Sequence, residues 1–88
     1  MRAVEGDLQR VLGDNLRAYR QARGLSQEAM ADALGIHRTY MGGIERGERN
    51  LTLKAVERIA NWLGLDPLKL LTPPPKSRET ARRRPSRR

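Results

Sequence analysis

Apolar residues recur at three- and four-residue spacing along most of the chain, and four of the five such runs end at a glycine. Leu8, Val11, Leu12, Leu16 and Tyr19 share one face of a helix predicted over about residues 5–23, with Gly24 as its stop. Ser26 is an N-cap for a second helix, Gln27 to Leu34, whose inward residues are Met30, Ala31 and Leu34; Ala29 at its third position leaves the capping box incomplete. Gly35 supplies a left-handed turn into a third helix, about His37 to Arg46, pinned by Ile36, Met41 and Ile44 and closed by Gly47. Thr52 caps a fourth helix in which Leu53, Val56, Ile59, Ala60 and Leu63 line one side, and Gly64 ends it. Asp66 before Pro67 opens a short fifth helix through Leu68, Leu70 and Leu71. The prediction is an all-α domain of five helices over residues 5–72, with no strand and no internal repeat.

Beyond Leu71 the periodicity collapses. Pro73 to Pro75 favour an extended spacer, and KSRETARRRPSRR offers almost nothing apolar to bury. Residues 73–88 therefore read as a disordered basic tail. This tail changes the meaning of the +8 net charge: from Lys76 onward seven basic side chains face Glu79 alone, which accounts for +6. The rest of the chain is nearly neutral, so any anion affinity there depends on local placement.

Composition narrows the function. Eighty-eight residues allow one small core and leave little room for a ligand cavity. With no Cys, neither disulfides nor a zinc finger is available, and a reducing, cytoplasmic setting is expected. No apolar run approaches the roughly 20 residues that span a bilayer, and MRAVEGDLQR is too polar for a signal peptide. An enzyme is not expected: there is no Gly-rich phosphate loop, no metal-ligand cluster, no Cys nucleophile and only one His, without an orienting carboxylate. Nor is a cofactor. Tyr19, Tyr40 and Trp62 are too few aromatics for a base-stacking platform on single strands.

Residues 24–47, GLSQEAMADALGIHRTYMGGIERG, carry the functional signal. Two short helices joined by a glycine turn bury little by themselves, so their use is to present the outer face of the second, which begins His37, Arg38, Thr39, Tyr40. That arrangement suits reading double-stranded DNA.

The strings LGDNLRAYRQARGLSQ, MADALGIHRTYMGGIERGERN and LKAVERIANWLGLD occur in order, and the stretch from Leu12 to Leu71 resembles the helix-turn-helix domain of the phage-repressor and Cro family. This is the xenobiotic-response-element type of bacterial or phage regulator, with a lambda-repressor-like fold. IERGERN resembles in particular the controller proteins of restriction-modification systems. The resemblance implies that Gln27, beside Ser26 at a helix N-terminus, touches DNA phosphate. It implies that Arg38 and Thr39 reach base edges, and it makes Gly43 a third base-facing position that lacks a side chain. Tyr40 either packs on the domain or offers its hydroxyl to phosphate, as the position it matches often does, and Arg46, Arg49 and Asn50 are placed to contact the sugar-phosphate backbone, unless they form only a solvated loop. His37 is either a contact to phosphate or base or simply a residue of the turn. Arg20 and Glu45 match an ion pair that ties the first helix to the end of the third.

Gly42 and Gly43 admit a bland reading, a poorly optimised surface that costs about 1 kcal/mol per glycine relative to Ala. The reading adopted is close approach to the groove by a bare helix face opposite Met41 and Ile44; tight packing against a protein would need the same feature. One recognition helix reads few base pairs, so a homodimer on two half-sites is expected. Trp62 with Leu65, Leu68 or Leu70 is the candidate dimer patch, the alternative being that Trp62 covers the edge of the core. The expected function is a sequence-specific repressor or controller. Its competitors are an antitoxin that binds both DNA and a toxin protein, with the basic tail as a possible contact, and a nonspecific nucleoid-associated protein.

Overall fold

A computed structural model describes residues 4–74, and the predicted tail beyond Pro74 lies outside the described residues. The helices are α1 (Asp7–Ala22), α2 (Gln27–Leu34), α3 (Arg38–Glu45), α4 (Leu53–Leu63) and α5 (Pro67–Leu70), and no strand occurs among the described residues. Their starts follow from local chemistry. Ser26 Oγ accepts the Ala29 N–H and Thr52 Oγ1 the Ala55 N–H, each at 3.0 Å, while Asp66 Oδ1 accepts the Leu68 N–H at 2.9 Å ahead of Pro67.

The turn between α2 and α3 sets the geometry that follows. Gly35 has φ +72°, a conformation that would strain a β-carbon, and the Ile36 N–H reaches back to the Ala31 carbonyl at 2.9 Å. The last turn of α2 is thereby closed, and Ile36 packs on the core as α3 begins.

α1 packs against α3 and α5, α2 against α3, and α4 against α5. Leu16, Met30, Met41, Ile44 and Leu70 are the largest fully enclosed side chains, one from each of α1, α2 and α5 and two from α3. At the crossing of α1 and α3 the helices come unusually close. A β-carbon on Gly13 would stand 2.5 Å from the Ile44 carbonyl oxygen and 2.6 Å from that of Glu45, so this contact exists only because position 13 has no side chain.

Two predicted core positions are not in the core. Leu53 is 77% exposed and Leu8 is also exposed. Each lies in the first turn of its helix, where the Cα–Cβ bond tilts toward the N-terminus and carries the side chain past the end of the packed layer. A third correction concerns Leu70, predicted for the dimer patch: it is wholly buried and belongs to the core. Asn15 fixes the end of α5 from α1, its Nδ2 donating to the carbonyls of Leu70 and Thr72 at 2.9 Å each.

Candidate nucleic-acid interface

α3 is anchored at its C-terminal end. The Glu45 side chain is 2% exposed and accepts from Arg20 Nε at 2.6 Å, Arg20 Nη2 at 3.1 Å and Gln27 Nε2 at 2.9 Å. Arg20 Nη1 also donates to the Leu25 carbonyl at 2.7 Å. One carboxylate thus joins α1, the start of α2 and the end of α3, and the buried charge is met by charge-assisted hydrogen bonds on both oxygens. The hydrogen bond to Glu45 raises the pKa of Arg20 above its ordinary value, against the opposing effect of burial. A primary amide has two N–H groups, and this one commits a single donor to Glu45 at the N-terminus of α2.

The other end of α3 is open. His37 is its N-cap residue but makes no side-chain cap hydrogen bond, and His37, Arg38 and Thr39 are all exposed. Arg38 Nη1 lies 4.0 Å from Glu28 Oε1, with both side chains about two-thirds exposed, so solvent screens the pair and it holds Arg38 only loosely. Tyr40 is half-buried against the core.

Gly42 and Gly43 are buried, which corrects the expectation of a bare helix face. A β-carbon on Gly42 would lie 3.1 Å from Arg46 Nη1 and 3.5 Å from Gln27 Oε1. One on Gly43 would lie 2.8 Å from Arg49 Nε and 3.0 Å from Arg49 Cγ. The close approach is made by this chain's own arginines: Arg46 reaches Gly42 from one turn further along the same helix, and Arg49 folds back over Gly43 after the turn at Gly47 (φ +75°). The Arg49 guanidinium sits 5.3 Å from the centre of the Tyr40 ring, and Arg46 pairs with Glu48 at 3.2 Å.

Sequence reasoning did not find Gln9. Its Nε2 donates to the Arg49 carbonyl at 3.0 Å and to Asn50 Oδ1 at 2.7 Å, tying α1 to the segment after α3. No periodic signal marks such a residue. Gly13 was also missed, although a glycine inside a helix is itself a signal, being about 1 kcal/mol poorer there than Ala. Of the remaining dimer-patch candidates, Trp62 on α4 is 40% exposed and Leu68 on α5 is 67% exposed, while Leu65 is half-buried against the core. Among the described residues no group of His, Cys, Asp and Glu is arranged to hold a metal, and no helix is long and apolar enough to cross a membrane.

The sequence profile of a family described as a helix-turn-helix domain matches residues 11–71. The control protein C.SmaI of Serratia marcescens is 46% identical over 66 residues, covering 75% of this chain and 79% of that protein. Among solved structures, the hypothetical transcription factor NHTF from Neisseria superposes with a TM-score of 0.75 at 37% identity, over 92% of this chain and 90% of that one. The restriction-modification controller protein C.AhdI from Aeromonas hydrophila superposes with a TM-score of 0.65 at 42% identity, over 70% and 94% of the two chains.

Proposed function

This chain belongs to the helix-turn-helix family of transcriptional regulators that includes controller proteins of restriction-modification systems, and on that footing we propose that it reads a palindromic operator as a homodimer. The observation that carries the reading is the asymmetry of α3: its C-terminal end is locked by Glu45 to Arg20 and Gln27, while Arg38 and Thr39 are exposed at its start. A reader needs exposed side chains on a fixed frame. Arg38 grips guanine through O6 and N7, Thr39 meets a neighbouring base, and His37 contributes at the edge. Ser26, Gln27, Tyr40, Arg46 and Asn50 hold the sugar-phosphate backbone and set register. The exposed apolar surface of Trp62 and Leu68, on the packed pair α4 and α5, joins two copies in the cytoplasm so that the two recognition helices meet half-sites about one helical turn apart.

Selection of bound duplexes from a random pool, at moderate salt and with excess competitor, tests this directly. The expected result is enrichment of a palindrome with a guanine in each half-site. Enrichment of no sequence would overturn the reading, and enrichment of an unrepeated half-site by a monomer would overturn its dimeric part.

A further inference from the structure

Two arginines on the face proposed to meet DNA each have a carboxylate beside them. Arg46 Nε lies 3.2 Å from Glu48 Oε1 and Arg38 Nη1 lies 4.0 Å from Glu28 Oε1, and all four side chains are more than half exposed. The first pair opens onto a cleft that also takes in Arg10, Arg17 and Gln27, the candidate phosphate contact. Glu28 stands next to that same Gln27 in the first turn of α2. The helix dipole accounts for an acid in that turn, but not for Glu48, which lies beyond the end of α3. The charge balance points the same way: apart from the +6 from Lys76 onward, the chain carries only +2 of its +8.

We propose that Glu28 and Glu48 are guards that mask Arg38 and Arg46 from random DNA, so that discrimination is set in part by carboxylates that touch no base. Binding to random DNA is almost wholly attraction to the phosphates, and no base contact draws an arginine into register there. At separations near the Debye length of about 8 Å, an arginine paired with a glutamate is a dipole whose charges nearly cancel. At the operator, register brings acceptors to hydrogen-bond distance. Arg38 then exchanges one loose carboxylate for the two acceptors of a guanine edge, and Arg46 exchanges Glu48 for a phosphate oxygen. Pairs this exposed are weak enough to open. The masking therefore weakens random binding more than operator binding. The proposal rests on the operator-binding reading above, but the two fail differently.

The test measures affinity for the selected duplex and for a scrambled duplex of equal length, over a range of salt, with the full chain and its Glu28→Gln, Glu48→Gln, doubly substituted and Glu57→Gln variants. Both duplexes meet the same protein, so the ratio of affinities is insensitive to any loss of folded fraction. Glu57, exposed on α4 and in neither pair, controls for net charge. Each guard variant is expected to bind the scrambled duplex about threefold more tightly and the double variant about tenfold, the scale of one and two exposed ion pairs. That gain should fall away as salt rises, and on the selected duplex it should stay below about twofold. An equal rise on both duplexes, or the same rise from Glu57→Gln, would reduce the guards to net charge and overturn the proposal. So would the absence of any rise on the scrambled duplex. A rise from only one guard variant would take the role from the other pair. Failure of the unaltered protein to select any duplex would instead remove the operator reading, while the masking is still read on the scrambled duplex.

Discussion

Gln27 and Glu45 share a hydrogen bond of 2.9 Å that runs from the first residue of α2 to the last of α3. It makes the candidate phosphate contact and the frame of the recognition helix one object. Gln27 cannot follow a shifting phosphate without pulling on Glu45, and Glu45 is held on its other side by Arg20. The geometry of the face proposed to meet DNA is therefore set from inside the domain.

Glu45→Ala should be strongly destabilising. It leaves Arg20 partly buried with no carboxylate, and breaking a buried pair in this way costs about 3–5 kcal/mol. Thermal and urea unfolding of the variant would show this as a lowered midpoint, and an unchanged midpoint would count against the frame. Because the folded-state pKa of Arg20 is raised, its share of the stability is fully present below the unfolded value and is lost only as pH rises through the folded one. On that account, Arg20 should contribute no slope to unfolding between neutral and moderately alkaline pH.

Gly13→Ala reverses the usual rule for helices. In an exposed helix the change would gain about 1 kcal/mol. Here the new methyl group meets two backbone carbonyls of α3 at 2.5 and 2.6 Å, and backbone yields at a cost of about 1–3 kcal/mol. The expected outcome is a net loss of stability by urea unfolding, together with weaker operator binding as α3 is pushed from α1; a stabilised variant would show that the crossing relaxes freely.

Leu68 and Leu70 separate association from folding, although they stand two positions apart in α5. Leu70→Ala empties a fully enclosed site and should cost about 2–5 kcal/mol. Leu68→Ser removes an exposed side chain, so the monomer's fold should tolerate it while self-association weakens. Sedimentation equilibrium reads the second effect. A Leu68→Ser protein that associates as tightly as the parent would place the dimer contact elsewhere.

The helices themselves were legible because punctuation and period agree: Ser26, Thr52 and Asp66 cap as their positions suggest, and Gly24, Gly35, Gly47 and Gly64 all have positive φ. Periodicity fixes a direction around the helix axis but not whether a neighbour is present, so Leu8 and Leu53 share the right stripe and still overhang the core. Leu70 was misplaced for the converse reason, since four residues of helix are too few to show which side faces in. The covering of Gly43 was beyond reach. It depends on Arg49 folding back after Gly47, in a segment that Gln9 holds from about forty positions earlier in the chain.

Arg38→Ala should change what the protein reads more than whether it binds. Arg38 is two-thirds exposed, and its only ion-pair contact among the described residues is the loose one to Glu28, so removing it should leave the unfolding midpoint within about 0.5 kcal/mol of the parent. At the operator it should cost about 1–3 kcal/mol, concentrated at one base pair of each half-site. The check is a second selection from the random pool with the variant. Relaxed preference at that pair, with the rest of the palindrome kept, would identify Arg38 as its reader. A uniform loss across all positions would make Arg38 a phosphate contact, and the reading of guanine would then have to come from elsewhere on the surface.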